Sequence, residues 1–249
     1  MSAARPERMP HKAMVLAAGL GERMRPITET RPKPLIELQG RALLDRILDR
    51  LEAAGVLEAV VNLHYLGEMI EAHLERRESP RITFSREAER LETGGGVRRA
   101  LTLLGEAPFF VINGDVCWLD GQTPALDRLA HAWDEEEMDA LLLVHPVAFA
   151  VGYDGSGDFV FTPEGRLRRR REREVAPFVF TGVQILHPRL FEGVEDGAFS
   201  LNVIYDKALE AGRLAGVRHD GEWFHIGTPE GLKEVAEALH PLASHSVRR

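Results

Sequence analysis

The chain has 249 residues, 44% of them hydrophobic, which is enough to bury one sizeable core. Its 31 basic and 39 acidic residues give a formal net charge of −8, which argues against a nucleic-acid partner and makes any anion site a local feature. A single cysteine, Cys117, excludes an internal disulfide, and no apolar run approaches the roughly 20 residues of a membrane span. Residues 1–11 lack the apolar stretch of a signal peptide and are expected to form a flexible tail. We therefore expect a cytoplasmic protein without a membrane partner, either a monomer or a weak homo-oligomer.

Strand and helix patterns alternate through the first part of the chain. Apolar runs predict strands at 13–18, 58–63, 81–85, 109–112 and 140–144. Helical periodicity predicts helices at 40–54, 66–76, 97–104 and 124–136. Such alternation is typical of a parallel sheet with helices packed on it.

From residue 151 onward, glycine and proline break the chain into shorter segments that favour hairpins. Strands are predicted at 158–162, 178–186, 214–219 and 223–226, and helices at 203–211 and 229–239. The run 166–174, RLRRRRERE, alternates charge and is interpreted as a solvated edge strand or hairpin tip rather than a nucleic-acid site. No linker is apparent, so this part is expected to extend the same sheet.

The loop after the first strand combines glycines with positive charge. Gly19 and Gly21 free the backbone to expose its amides, and Arg23, Arg25 and Lys33 follow. Together these groups predict an anion site of the kind that binds a nucleotide polyphosphate. A Walker loop is excluded because Glu22-Arg23 follows Gly21, and a dinucleotide fingerprint is disfavoured because Met24 occupies its third glycine position. A strand-to-loop turn without a ligand is the remaining alternative.

Two further motifs lie near predicted element boundaries. Asn113-Gly114-Asp115 follows the strand 109–112, which places Asp115 at the edge of the sheet where ligands of open α/β folds bind. A carboxylate there suits a magnesium ion on a triphosphate, and an Asx turn is the alternative. Gly94-Gly95-Gly96 precedes the helix predicted at 97–104, so a loop there could approach a flat ligand closely or simply lead into the helix.

The segments LAAGLGERMRP and RPKPLIEL, followed by LETGGG and NGDV, resemble the sugar-1-phosphate nucleotidylyltransferases. The resemblance extends over almost the whole chain after Lys12 and is closest to the N-acetylmuramate-1-phosphate uridylyltransferases of peptidoglycan recycling. It implies the α/β nucleotidyltransferase fold, a Rossmann-like mixed but mainly parallel sheet sandwiched by helices. It also implies one domain over 12–249, with a nucleotide-binding half at 12–150 and a sugar-binding half at 151–249.

The implied reaction transfers a nucleotidyl group from UTP to N-acetylmuramate-1-phosphate, with Mg²⁺ as the cofactor and pyrophosphate as the second product. Nucleotide binding is implied for Ala17, Gly19, Gly21, Glu22, Arg23, Lys33, Glu87, Gly94 and Gly95. Glu87 falls where a base-reading side chain is expected, and either a carboxylate or a backbone carbonyl could accept from N3–H of uracil. Catalysis is implied for Arg23, Lys33 and Asp115. Sugar-phosphate contacts are implied for Asn113, His145, Gly182 and Asn202, although Asn202 is equally suited to cap a helix. Metal binding is implied for Asp115 and His225.

His225 departs from the family pattern, in which an aspartate commonly helps to hold the metal. Imidazole suits magnesium poorly and zinc, manganese or cobalt better. Either His225 binds such an ion, or Asp158 or Asp220 supplies the charge, or Asp115 and waters suffice, or the histidine only forms local hydrogen bonds.

Several alternative functions remain open at this stage. Within the enzyme class these are mannose-1-phosphate guanylyltransferase and thymidylyl or cytidylyl relatives. The guanylyl-transferring enzymes of molybdenum cofactor maturation share the LAAG opening, but they usually carry a glycine after Arg-Met, where this chain has Arg25-Pro26. A nucleotide-binding regulatory relative without turnover is the alternative outside enzymes.

Overall fold

The computed structural model describes residues 9–246, and the elements below refer to that range. The strands are β1 Lys12–Leu16, β2 Glu37–Leu38, β3 Arg41–Ala42, β4 Glu58–Leu63, β5 Arg81–Arg86, β6 Phe109–Asn113, β7 Cys117–Leu119, β8 Ala140–Pro146, β9 Phe159–Phe161, β10 Leu167–Arg169, β11 Phe178–Leu186, β12 Leu214–Arg218 and β13 Glu222–Phe224. The α-helices are α1 Leu43–Ala54, α2 Gly67–Leu74, α3 Glu92–Leu104, α4 Ala125–Ala132, α5 Leu201–Glu210 and α6 Pro229–Ser246.

A mixed sheet of nine of these strands organises the described part of the chain. Its main path runs β10-β9-β11-β6-β1-β4-β5, and β8 pairs with both β11 and β12. The pairs β1–β4, β1–β6, β4–β5 and β8–β12 are parallel, whereas β11 is antiparallel to β6 and β8. The predicted mixed, mainly parallel sheet is confirmed, and strands from both halves of the chain share it.

Helices cover both faces of this sheet because its strands are apolar on both sides. Along β1, Ala13 and Val15 join one core cluster with residues of α1, α2 and α4, while Met14 joins the other with residues of α3 and α5. A third cluster packs α6 against the loops after β1 and β6, through Met24, Cys117 and Val235 among others. This third cluster holds the loops at the carboxyl edge of the sheet in place.

The predicted elements match the structure except at particular boundaries. Strands β4 and β11 have the predicted bounds, and the segment from Leu167 to Arg169 forms the terminal strand β10, as the charge pattern indicates. Helix α3 begins at Glu92 rather than Val97, so the three glycines lie inside the helix and not in a loop before it. Strands β2, β3 and β7 were not predicted; β2 pairs with β3, and β7 pairs with β13, outside the main sheet.

The beginning of the described chain is packed against the domain. Met9 is 8% exposed, and the carbonyl of His11 accepts hydrogen bonds from the amides of Leu57 and Glu58. Residues 9–11 of the expected tail therefore belong to the folded body, whereas residues 1–8 lie outside the described residues. Within residues 9–246, every helix is too short or too polar to cross a lipid bilayer.

Candidate active site

The loop after β1 is shaped by one left-handed glycine. Gly21 has φ +66°, and a Cβ there would lie 2.8 Å from Cγ2 of Thr28. The carbonyl of Gly21 accepts from the hydroxyl of Thr28 and from the amide of Met24, both at 2.8 Å. Met24 is fully buried while Arg23 stays exposed, so the turn presents the guanidinium to solvent and to the cleft described below.

Lys33 and Asp115 meet across this cleft from separate parts of the chain. Lys33 is 9% exposed, and its Nζ donates to Oδ2 of Asp115 at 2.5 Å. Asp115 lies in the turn after β6, where the amide of Gly114 donates to the carbonyl of Leu16 at 2.8 Å. A Cβ on Gly114 would lie 2.6 Å from that same oxygen, so the glycine lets the turn pack against the end of β1.

Two adjoining cavities meet at these residues. The larger has a volume of about 470 Å³, and the smaller has about 240 Å³. Arg23, Asn113 and Asp115 line both. The larger cavity is also lined by predicted nucleotide-binding residues, namely Ala17, Gly19, Gly21, Glu22, Lys33 and Glu87. Arg25, the third cation predicted for the anion site, is exposed and lines neither cavity.

Gly94 and Gly95 lie behind the wall of the larger cavity rather than on its surface. Their amides donate to the carbonyl of Phe199 at 2.8 and 3.1 Å. A Cβ on Gly94 would collide with the ring of Phe199, and one on Gly95 would collide with the carbonyl of Gly197. Close packing of α3 against residues 197–199 accounts for both glycines, and such tertiary packing outweighs the low helix propensity of glycine.

The smaller cavity has aromatic walls. The rings of Tyr153, Trp223 and His225 pack against one another with centroids 5.8 to 6.0 Å apart. The indole N–H of Trp223 donates to the carbonyl of Thr181 at 3.0 Å. The next residue, Gly182, which is a predicted sugar-phosphate contact, has φ +82° and also lines this cavity. A Cβ at Gly182 would lie 2.8 Å from Nδ2 of Asn113, so the glycine permits close approach of β11 to the turn after β6.

His225 lines the smaller cavity within electrostatic range of the charged groups of the cleft. Burial, and then the positive charges of Lys33 and Arg23, lower the pKa of His225 below its usual value, while Asp115 and Asp154 oppose this shift. A neutral imidazole therefore faces the cations at neutral pH. Asp158 lines the same cavity, whereas Asp220 pairs with Arg128 at 3.1 Å and lines neither cavity.

The described residues offer few protein ligands for a divalent ion. Among residues 9–246, no group of three or more His, Cys, Asp or Glu side chains is arranged to hold a metal. Asp115 is the cleft carboxylate shared by both cavities. This single carboxylate suits an ion such as Mg²⁺, which takes most of its remaining ligands from phosphate oxygens and water.

Two predicted sugar contacts, His145 and Asn202, line neither cavity. His145 is 3% exposed and continues the strand alternation of Leu141 and Leu143, which directs it into the core, where its ring lies 6.4 Å from that of Trp223. Burial lowers the pKa of His145. Asn202 lies in the first turn of α5, where its amide donates to the hydroxyl of Ser200 and its Oδ1 accepts from Arg169 at 3.2 Å. The N-cap is therefore Ser200, and Asn202 is tied to a neighbouring strand.

The chain can be assigned to a family by comparison with known proteins. Residues 13–196 match the family described as MobA-like NTP transferase domain. The chain belongs to this NTP transferase family. The predicted nucleotidyltransferase class is thereby confirmed.

The transferase is similar over most of its length to two bacterial proteins. It is 46% identical over 234 residues to the N-acetylmuramate alpha-1-phosphate uridylyltransferase of Caulobacter vibrioides, covering 92% of this chain and 96% of the relative. It is 38% identical over 232 residues to the protein of that name from Neisseria meningitidis serogroup B, covering 92% and 97%. A solved UDP-glucose pyrophosphorylase complexed with UDP-glucose aligns with a TM-score of 0.74 at 18% identity, over 92% of this chain and 98% of that one. This last likeness shows the fold alone.

Several residues that line the cavities of the transferase were not predicted as site residues. Arg90 and Thr93 line the larger cavity, and Tyr153 lines the smaller. Arg90 and Thr93 follow the carboxyl end of β5, so the rule that predicted Asp115 also applies to them. Tyr153 lies in the turn-rich segment after residue 151, where no periodicity indicates which side chains face inward.

Proposed function

We propose that this transferase moves a uridylyl group from UTP to N-acetylmuramate α-1-phosphate. The observation that carries the proposal is that Arg23, Asn113 and Asp115 line both cavities, with Lys33 paired to Asp115. Two cavities that share a charged boundary suit two substrates whose phosphates must meet. Similarity to the two uridylyltransferases supports the choice of UTP and of the sugar phosphate.

The larger cavity is assigned to the nucleotide and the smaller to the sugar. Apart from Gly227, the residues that line the larger cavity come from the segment 16–115. Most of those lining the smaller cavity come from 153–226, and its aromatic walls suit the apolar face of a sugar ring. This distribution supports a nucleotide-binding half at 12–150 and a sugar-binding half at 151–249 within one domain. Glu87 lines the larger cavity and is proposed to accept a hydrogen bond from N3–H of uracil.

The reaction requires alignment of two anions more than it requires a protein nucleophile. A phosphate oxygen of the sugar-1-phosphate attacks the α-phosphorus of UTP. A new phosphorus–oxygen bond forms while the bond to the α,β-bridging oxygen breaks, and pyrophosphate leaves with that oxygen. Arg23 and the amides of Gly21 and Glu22 hold the departing phosphates, and Lys33 neutralises charge on the α-phosphate and the incoming phosphate.

Asp115 is proposed to hold Mg²⁺ in this cleft. The ion would supply positive charge shared between phosphate oxygens. His225 lies beside this position as a second candidate ligand, and as a nitrogen donor it favours Mn²⁺ or another transition ion more than Mg²⁺.

The decisive experiment is a pyrophosphate-release screen. The four ribonucleoside triphosphates and dTTP are each combined with a panel of sugar phosphates, first in Mg²⁺ and then in Mn²⁺. Release with UTP and N-acetylmuramate α-1-phosphate alone is the expected result. Release with GTP and mannose-1-phosphate would instead identify a guanylyltransferase. Nucleotide binding without any release would identify a regulatory relative.

A further inference from the structure

Asn62 is a buried polar residue at the carboxyl end of β4, between β1 and β5. Asn62 is only 2% exposed. Its Oδ1 accepts from the amide of Ala17 at 2.7 Å, and its Nδ2 donates to Oε1 of Glu87 at 2.7 Å. Both ends of the amide are therefore committed, one to the start of the loop after β1 and the other to the residue after β5.

Glu87 extends this connection to α3. It is 5% exposed, and its Oε2 accepts from the amide of Leu91 at 3.1 Å. Leu91 immediately precedes α3, whose first residues, Glu92 and Thr93, line the larger cavity. Glu92 adopts φ +59°, a left-handed conformation that is costly for a residue with a side chain. The hydrogen bond to Leu91 thus holds the backbone directly beside this strained position.

A continuous chain of hydrogen bonds therefore joins two walls of the cavity. It runs from the amide of Ala17 through Asn62 and Glu87 to the amide of Leu91. Helix α3 crosses directly over it, because a Cβ on Gly96 would lie 2.8 Å from both Nδ2 of Asn62 and Oε1 of Glu87. The third glycine of the GGG motif is thus explained by this pair and not by a ligand.

We propose that Asn62 and Glu87 act together as positioning residues that fix the separation between the loop after β1 and the start of α3, and so set the affinity for the nucleotide. The inference rests on the proposed function in that it takes the larger cavity to be the nucleotide site. Buried polar pairs of this kind specify geometry because a mismatched donor or acceptor has no water to replace its partner.

An exchange of the two side-chain types tests this directly. Asn62→Asp alone brings a second carboxylate against that of Glu87. Glu87→Gln alone brings an amide N–H against a donor, either Nδ2 of Asn62 or the amide of Leu91. Each single variant should raise the KM for UTP about tenfold. In the double variant the new amide at position 87 donates to the new carboxylate at position 62, so the hydrogen bond between the two side chains is restored with its polarity reversed. The side-chain oxygens at positions 62 and 87 still accept from the amides of Ala17 and Leu91. Its KM for UTP should return to within about threefold of the wild type.

The readouts separate positioning from stability. In the single variants the KM for UTP should rise, while the KM for the sugar phosphate should stay within about twofold of the wild-type value. Calorimetry should rank the variants in the same order by their dissociation constants for a non-hydrolysable UTP analogue. Val61→Ala, in the neighbouring core position of β4, is the matched control, because it should lower the melting temperature without changing either KM. Val61 is fully buried and belongs to the core cluster.

The possible outcomes discriminate between the hypotheses. Single variants that bind the analogue as tightly as the wild type would overturn the positioning role. A double variant no better than Glu87→Gln alone would overturn it too, since it would leave Glu87 only a direct contact with the base. If the wild type transferred nothing but the calorimetric order held, the positioning role would stand and uridylyl transfer would fall. If the wild type bound no nucleotide, both proposals would fall.

Discussion

Lys33 is a nearly buried cation whose amine reaches the boundary between the two cavities. Lys33→Ala should lower kcat by about 10²- to 10³-fold, because it removes a fixed positive charge where negative charge accumulates in the transition state. The fold should persist, since the side chain of Asp115 is 38% exposed and can be hydrated. Pyrophosphate release and thermal melting measure the two effects. Arg31→Ala, which removes a nearby exposed cation paired with Glu37, is the control and should have normal turnover. Ordinary turnover in Lys33→Ala would remove the lysine from the mechanism.

His225 is a neutral imidazole at a position where the positive charges of Lys33 and Arg23 would stabilise a negatively charged side chain. His225→Asp should therefore keep or increase the turnover with Mg²⁺, because a carboxylate oxygen is a better ligand for this ion and is stabilised by Lys33 and Arg23. Turnover is measured in Mg²⁺, Mn²⁺, Co²⁺ and Zn²⁺, with His225→Ala as the control for loss of the ring alone. A folded His225→Asp protein that is inactive in all four ions would show that the histidine has another role.

Helix α3 depends on close packing of its first turn. Gly95→Ala would gain about 1 kcal/mol in helix propensity. Its Cβ, however, would collide with the carbonyl of Gly197, and overpacking against backbone costs about 3 kcal/mol. The free energy of unfolding in urea should therefore fall by about 2 kcal/mol. Gly19→Ala is the control, because a Cβ there has no neighbour within 4 Å. Equal stability of the two variants would contradict this account of the glycine.

The ends of β8 and β12 bury two neighbouring histidines. His145 and His219 are 3% and 1% exposed, with ring centroids 5.7 Å apart. Burial lowers the pKa of each below the ordinary value of 6.5. Below about pH 6.5 the two histidines bind protons in the unfolded chain but not in the native protein. The free energy of unfolding should therefore decrease as the pH falls below about 6.5, and the two histidines should not lower it above that pH. Urea unfolding at about pH 7.5 and 5.5 measures the decline. His145→Phe should make it smaller, and an unchanged decline in that variant would count against the buried pair as its source.

The described chain is expected to unfold as one unit. Strand β8 of the first half pairs only with β11 and β12 of the second, and β11 also pairs with β6. Because the two halves share one sheet and its core clusters, neither can lose its structure alone. Urea unfolding should give coincident transitions by far-UV circular dichroism and by tryptophan fluorescence, which has probes in both halves. Two separated transitions would instead divide the chain into independent domains.

The sequence alone was sufficient for the parts of this protein that depend on local chemistry. Apolar periodicity predicted the bounds of β4 and β11. The rule that ligands bind beyond the carboxyl ends of parallel strands predicted that Asp115 lies at the ligand-binding edge of the sheet. The glycines and cations of the first loop indicated an anion site, and Arg23 and Lys33 do line the larger cavity. These features follow from a residue and its near neighbours along the chain.

Only the tertiary structure decided the features that depend on which strands and helices become neighbours. His145 is buried because other elements cover β8 on both faces, and the GGG segment has no room for side chains because Phe199 and Gly197 pack against it. The link from Ala17 through Asn62 to Glu87 exists because the sheet places β4 between β1 and β5. Ala17 and Asn62 are 45 positions apart in the sequence, and Asn62 and Glu87 are 25 positions apart. The strand order brings them within hydrogen-bonding distance, and that order is a property of the assembled sheet and of no single segment.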